Sequence, residues 1–370
     1  MRVLAFGTYD VAAHPRVAAL IEGLRERGCD VDECNVPLGL STAAKVGILA
    51  RPWRVPLLLA RIAGCWWRLA RAARRLPAPD AVLVGYLGHF DVHLARWLFP
   101  KVPIVLDHLI GASDTAKDRR IDGGVRQRLL RMIDSGALRA ADVVVVDTDE
   151  HLAALPDARR PKGVVVQVGA PRAWFEAARA PDDDPRETLR VVFFGLFTPL
   201  QGTPVIGAAL GALAGAPIRV TMIGTGQDLA ETRAAAAGGD VRWLDWVPSA
   251  ELPGVVAAHD VCLGIFGTGD KARRVVPNKV FQGMAAGCAV VTSDTAPQRR
   301  ALGDAVLLVP PGDAGAVADA LRHLAGDRAA LVALRAAATA VARERFTAGA
   351  VVAPLLLRLH ELVDLEGVPR

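Results

Sequence analysis

The chain has 370 residues, 52% of them hydrophobic, and carries a formal charge of +5 at pH 7. That length exceeds one ordinary core, so two domains are expected, with a single large barrel as the alternative. The charge is spread along the chain, and no RNP-type aromatic pair, zinc-finger spacing or basic zipper accompanies it, which argues against nucleic acid and for a smaller acidic ligand. Cys29, Cys34, Cys65, Cys262 and Cys288 form no C-x-x-C pair and lie mostly in apolar runs, so they read as reduced core residues of a cytoplasmic protein.

The first expected strand, Val3 to Phe6, is an apolar run too short for the core of a signal peptide, and no later run approaches a membrane span. It ends in a glycine turn at Gly7. "HPRVAALIEGLRERG" then repeats apolar residues at helical spacing and stops at Gly28. Further strands are expected at Asp30 to Cys34, Ala81 to Val84, Ile104 to Leu106, Val143 to Val146 and Val164 to Val168. Between the second and third lies an unusual segment, residues 45–76, with Lys45, seven arginines, no acid, and Trp53, Trp66 and Trp67. It reads either as a basic amphipathic helix lying in an anionic membrane surface, a peripheral contact at the inner face, or as a domain helix with its tryptophans on the sheet and its arginines in water.

"APRAWFEAARAPDDDPRETLR" places an acid run between prolines and marks a linker. Beyond it, "LRVVFFG", "IRVTMIGTG", "DVRWLDW", "DVCLGIFG", "AVVTS" and "AVLLVPPGD" each read as a strand, several followed by a helix, and Phe346 to Val363 forms a helical tail able to dock on either domain. Strands alternating with helices from end to end demand parallel sheets with crossover helices. The expected architecture is α/β: two Rossmann-like, doubly wound domains, residues 1–172 and 189–346, joined by a linker at 173–188, with a terminal helix near 347–370 placed to pack back on the first. Ligands are expected at the carboxyl edges of the strands, in the cleft between the domains.

One stretch concentrates charge. "GTGDKARRVVPNKVFQGMAAGCAVV", Gly267 to Val291, places Lys271, Arg273, Arg274 and Lys279 ahead of a small-residue helix and an apolar strand. Pro277 suits the first turn of that helix, Asn278 its cap and Gly287 its end. A helix amino terminus with added cations is a diphosphate site, the alternative being a decorated surface loop. In "FFGLFTPLQGTPVI", Gly195 and Gly202 would let backbone approach a ligand, although an ordinary strand-to-helix turn needs none. "MIGTGQ", with Gly224 and Gly226, is a G-x-G without the third glycine or the acid of a dinucleotide fingerprint, which disfavours NAD. No metal site is expected, since D-x-D in a strand-loop context, HExxH and CxxC are all missing and "PDDDP" reads as a solvated spacer.

In order, "FFG", "IGTG", "WVPSAELPGVVAAHDVCLG", "PNKVFQGMAAGCAVVTSD" and "AVLLVPPGD" resemble the carboxyl-terminal domain of the retaining glycosyltransferases called group 1 or family 4, whose fold is GT-B. The likeness covers most of the chain and is most specific in the second half. It implies a hexosyltransferase-type enzyme, a nucleotide-diphosphate sugar, UDP- or GDP-linked, as substrate rather than cofactor, and no metal. The second domain would bind the donor, through Gly195, Gln201, Gly202, Gly224, Val247, Lys271, Arg273, Asn278 and Gln282, and the first a small-molecule, glycan or lipid-linked acceptor. The resemblance places His108 at the donor sugar near the reacting carbon, where a lone histidine after a strand would otherwise read as structural. By position in the sequence, Asp107 and Asp114 stand near enough to contact sugar hydroxyls or an acceptor, Arg119 could hold an anionic acceptor group, and His89 and Gly7 follow strands where an acceptor approaches. The monomer and the homodimer are both compatible with it.

This sequence departs from the family where charge matters most. The arginine and lysine that usually hold the diphosphate are replaced by Leu196 and Gln201, and the usual pair of glutamates by Arg274 and Gln282. Relocation reconciles this: Lys271, Arg273, Arg274 and Lys279 would supply the cationic stabilisation from another side, with Lys279 and Arg274 acting on the leaving group. A nucleotide-sugar epimerase on the same fold and a non-catalytic transferase partner are the competing readings.

Overall fold

The computed structural model describes residues 1–10, 15–39, 55–85, 88–108, 124–179 and 187–366, and divides into two compact units: Met1–Gln167 with Ala348–Arg370, and Val168–Thr347. In the first, strands β1 (Arg2–Gly7), β2 (Asp30–Asn35), β3 (Ala81–Val84), β4 (Ile104–Asp107), β5 (Val143–Val146) and β6 (Gly163–Val165) form one parallel sheet in the order β2-β1-β3-β4-β5-β6. The strands are apolar on both faces because helices cover both. Alternate residues separate accordingly: Leu4, Phe6, Val82, Val84, Ile104 and Leu106 point to one layer, Val3, Ala5, Ala81, Leu83 and Val105 to the other.

The first layer is built by α2 (Val55–Ala73), α3 (Asp91–Leu98) and α4 (Gly124–Ala140), through Cys65, Leu69, Leu94 and Leu138. The second is built by α1 (Pro15–Glu26) and, from the far end of the chain, by α14 (Ala348–Val351) and α15 (Ala353–Glu366), whose Leu355 and Leu359 join Leu20 and Leu24. Arg27 donates from Nε to the Gly349 carbonyl, and the Gly349 amide donates to Glu26, clamping the returning tail onto α1. A short helix, α5 (Asp149–Ala154), follows β5. The sixth strand is shorter than its valine run suggests. It is an edge strand, and beyond Val165 the Val166 carbonyl accepts from the buried Arg16 guanidinium instead of from a neighbouring strand.

In the second unit, β7 (Leu189–Phe194), β8 (Ile218–Ile223), β9 (Val241–Leu244), β10 (Val261–Leu263), β11 (Ala289–Ser293) and β12 (Leu307–Val309) form another parallel sheet, in the order β12-β11-β10-β7-β8-β9. The chain winds outward from β7 in one direction, then returns to β10 and winds the other way, so the switch point lies between β7 and β10. The helices α7 (Thr203–Ala212) and α10 (Asn278–Ala285) follow those two strands. The head of the expected linker belongs to this unit: α6 (Arg172–Glu176) buries Trp174, which stacks on Phe194 with centroids 5.5 Å apart, while residues 180–186 lie outside the described residues.

The unit also contains α8 (Leu229–Ala235), α9 (Leu252–Ala257), α11 (Ala296–Leu302), α12 (Ala314–Gly326) and α13 (Arg328–Arg345). Buried Arg335 of α13 donates to the carbonyl of Gly287, the residue whose left-handed backbone (φ 85) ends α10 as expected. Phe346, fully buried just after α13, meets Phe281 of α10 edge to face at 4.8 Å. Phe346→Ala is therefore expected to destabilise the second unit by about 3–5 kcal/mol, read as a lower midpoint in urea denaturation.

Candidate functional site

At the carboxyl edge of the second sheet three turns are bonded into one platform. The Gly195 amide donates to Ile223 and the Phe197 amide to Thr225, which ties the turn after β7 to that after β8; the Phe266 amide donates to the Gln201 carbonyl, which ties it to the turn after β10. Two glycines make this approach possible. A Cβ on Gly224 (φ 131) would collide with the Gly195 carbonyl oxygen, and one on Gly202 (φ 64) would collide with the Gly267 amide nitrogen. Gly202 is also the residue before α7, whose first turn has no side-chain cap.

Into this platform projects Lys279, from the first turn of α10. It is 5% exposed, its ammonium lies 3.7 Å from the centre of the Phe193 ring, and it donates to Gln201 Oε1. No carboxylate among the described residues pairs with it. Burial brings its pKa down to about 7, against the opposing effect of Cys262. Gly195 packs against the same ammonium: a Cβ there would stand 3.1 Å from Nζ. The structure thus gathers Gly195, Gln201, Gly202, Gly224 and Lys279.

The four cations of the sequence do not form one exposed group. Lys279 is buried, Lys271 is half-buried, and Arg273 and Arg274 are exposed on a turn at 269–274 held by the amides of Arg273 and Arg274 on Gly269 and Lys271. Nor does Asn278 cap the helix. Pro277, with φ −73 and ψ 149, stands at the cap with no side-chain bond, which moves Asn278 to the first helical residue and leaves the opening amides uncapped. Asn278, exposed, and Gln282, half-buried, lie one turn apart on the same side of α10, and Val247 is half-buried after β9.

The first sheet's carboxyl edge holds a different set. Asp107, expected near a ligand, is instead 1% exposed and paired with the buried Arg16 at 2.9 Å, because an acid this deep needs a cation beside it. Burial pushes its carboxyl up, against the pull of Arg16. His108 is nearly buried at the end of β4, and its Nδ1 has no hydrogen-bond partner among the described residues. Burial, with the His89 ring at 5.4 Å, lowers its pKa to about 4, so it is neutral at ordinary pH.

His89 also departs from expectation. Its ring is buried, with Nε2 3.1 Å from Asp134 of α4. The Gly7 turn is closed by Asp91, whose Oδ2 accepts from the Thr8 amide and hydroxyl at 2.7 and 2.8 Å, while Oδ1 accepts from Trp66. Asp114 and Arg119 lie outside the described residues. Arg16, Asp91, Asp134 and Phe193 escaped the sequence reading. Only Asp91 carried a signal, as an acid in the opening turn of a helix.

Residues 188–327 match the family model described as Glycosyl transferases group 1. A phosphatidyl-myo-inositol mannosyltransferase of Mycolicibacterium smegmatis is 32% identical over 213 residues, covering 55% of this chain and 53% of that protein, so the chain matches about half the length of this curated relative. Among solved structures, sucrose-phosphate synthase of Thermosynechococcus elongatus superposes with a TM-score of 0.68 at 16% identity, over 98% of this chain and 99% of that one. The HepE protein of Anabaena, in complex with UDP-glucose, gives 0.66 at 14% over 98% and 99%. An α,α-trehalose-phosphate synthase of Burkholderia vietnamiensis gives 0.65 at 17% over 100% and 98%. The fold is GT-B, and the second unit carries a group 1 glycosyltransferase domain.

The unpaired ammonium has a direct consequence for stability. With a folded pKa near 7 against an ordinary value of 10.5, folding must discard a proton between those limits and bury a charge below them. Lys279→Met is expected to be more stable than the parent by on the order of 1–4 kcal/mol at pH 7. In urea melts across pH, that gain should be full below pH 7 and shrink as pH rises towards 10.

Proposed function

We propose that this chain, with a group 1 glycosyltransferase domain on the GT-B fold, transfers a sugar from a nucleotide-diphosphate donor to an acceptor hydroxyl with retention of anomeric configuration. The observation that carries the reading is the ammonium of Lys279, buried without a carboxylate at the β7/β10 switch point beside two uncapped helix amino termini. Such a place has positive potential and open amides, which is what a diphosphate needs.

In this reading the diphosphate lies over the glycine platform, with Gly195, Gly202 and Gly224 leaving room for its oxygens. Lys279 neutralises charge as the bond to the sugar breaks, and Lys271, Arg273 and Arg274 add to the field from their turn. Asn278 and Gln282 offer amides to the ribose, and Val247 flanks the base. The base is uracil or guanine, the former supported by the UDP-glucose complex of the Anabaena neighbour.

The departing phosphoryl oxygen takes the acceptor's proton on the face it leaves, so the configuration is kept and no enzyme nucleophile is required. His108, neutral, serves as a hydrogen-bonding group for a sugar hydroxyl rather than as an acid. Arg16 and Asp107 hold the strand end that presents it. The side chains and amides neutralise the diphosphate without a metal ion, and the reaction takes place in the cytoplasm. No described helix is long and apolar enough to cross a membrane.

Isothermal titration with a panel of nucleoside diphosphates tests the donor site, and silence across the panel would end the proposal. Binding of the charged ligand is expected to favour protonated Lys279. Affinity should therefore weaken above pH 7, by up to about tenfold per pH unit, and lose this dependence in Lys279→Met. In turnover assays Lys279→Ala and Arg274→Ala are each expected to lower kcat about a hundredfold or more, the scale for losing one preorganised contact to the leaving group. Unchanged rates in both would remove the relocated cations from the mechanism.

A further inference from the structure

The exposed side of α2 and α3 in the first unit combines large apolar side chains with a row of cations. Helix α2 buries Cys65, Leu69 and Ala73 against the sheet, with Leu58, Ile62 and Trp66 partly covered. The exposed half of the helix carries large apolar side chains: Leu57, 73% exposed, and Leu59, 56% exposed, stand on its two flanks with Trp67, 67% exposed, between them, and Trp97 of α3 is 68% exposed. Trp66, Trp67, Arg71, Arg74, Leu94 and Trp97 line an open groove of about 550 Å³ between the two helices.

Cations run along the same exposed half of the helix. Arg61, Arg68, Arg71, Arg74 and Arg75 are all exposed, Arg71 lies over the Trp67 ring at 5.9 Å, and no acid occurs from Val55 to Pro79. The only acid of α3, Asp91, is buried. None of Arg68, Arg71, Arg74 and Arg75 has a carboxylate partner among the described residues. Residues 45–54, the other part of the basic segment, lie outside the described residues.

Three occupants could cover such a face, and charge with extent separates them. A single small anion would satisfy two or three arginines in the groove but leave Leu57 and Leu59, ten and eight residues before Trp67 and so about 12–15 Å away along the helix, in water. A second copy of the chain, meeting the first by a two-fold axis, would set arginine row against arginine row with no acid to separate them. An anionic lipid surface satisfies both requirements at once. The headgroups take the guanidinium groups along the whole row, and the leucines and tryptophans enter the boundary with the acyl chains.

We infer that the face formed by Leu59, Trp67 and Trp97 with Arg71 and Arg74, flanked by Leu57, Arg68 and Arg75, docks on an anionic membrane surface. It lies flat there without crossing the bilayer, and binding depends on charge and on the aromatic residues together.

Flotation of the purified full chain with vesicles tests this. Vesicles of equal parts phosphatidylglycerol and phosphatidylcholine are expected to carry the protein, vesicles of phosphatidylcholine alone to leave it behind, and added salt to release it. Removing an arginine in Arg71→Ser or Arg74→Ser should weaken binding about fivefold each, and the pair Trp67→Ala/Trp97→Ala about tenfold or more. Thermal melting of each variant checks that it is folded. Tryptophan emission should shift to the blue on vesicles, a signal lost in Trp67→Ala/Trp97→Ala. Equal binding to both vesicle types, or to neither, overturns the inference, as does folded variant protein that floats like the parent. Two further results would also overturn it: saturation of the groove by inorganic phosphate without flotation, which would make it an anion subsite, and a concentration-dependent dimer lost in Trp67→Ala/Trp97→Ala, which would make it a contact between copies.

Discussion

The second unit is organised around one uncompensated charge. An ammonium with no acid beside it is costly to bury, and Lys279 is held there by two weaker partners, the face of Phe193 and the amide oxygen of Gln201. That choice constrains its neighbours. A lysine at position 201 would set two ammonium groups within hydrogen-bond reach, whereas a glutamine accepts from one. The uncharged Gln201 and the buried Lys279 are therefore a matched pair, and neither is read correctly without the other. The same reasoning explains the glycines, since Gly195 must leave room for Nζ while Gly202 and Gly224 bring two further turns against it. Because no acid neutralises the ammonium, its field remains available to a bound anion, which is the property the proposed donor site uses.

The first unit's carboxyl edge solves the opposite problem. Its acids are each held by a partner: Asp107 by Arg16, Asp91 by Thr8 and Trp66, Asp147 by His151, with Asp134 close to His89. His108 is neutral for want of solvent. Among the described residues this edge thus presents little unbalanced charge, and it suits hydroxyl groups better than phosphates. The contrast between the two edges is electrostatic: the second offers a cation that no carboxylate neutralises, and the first, among its described residues, does not.

The architecture was legible because burial on both faces makes parallel strands continuous apolar runs, and "LRVVFF", "IRVTMI" and "AVVTS" fall where β7, β8 and β11 stand. Glycine turns and the helix start at Pro277 were legible too, since their backbone demands restrict the residue type. Side-chain direction was not. Nothing local told Lys279 from Arg273 and Arg274, because whether a cation near a helix start points to water or under a strand depends on Phe193, more than eighty positions away. Asp107 looked like a ligand group for the same reason: its partner Arg16 sits on a helix 91 residues earlier and resembles any solvated arginine there. The basic segment was unusual by composition, yet which of its tryptophans is covered was decided by packing against α3.

That packing ties two parts of the first unit together. Trp66 lines the outer groove with one side of its ring, while its Nε1 donates to Asp91 Oδ1 at 3.0 Å. The other oxygen of the same carboxylate closes the Gly7 turn through the Thr8 amide and hydroxyl. A displacement of α2 large enough to break the indole bond would leave a buried carboxylate oxygen without its donor, a cost of about 1–3 kcal/mol or more for a charged group. The bond therefore resists small sliding of the helix and transmits it to the turn if the helix does move. The exposed groove of α2 and α3 and the Gly7 turn at the end of β1 are consequently one mechanical element, joined at Asp91.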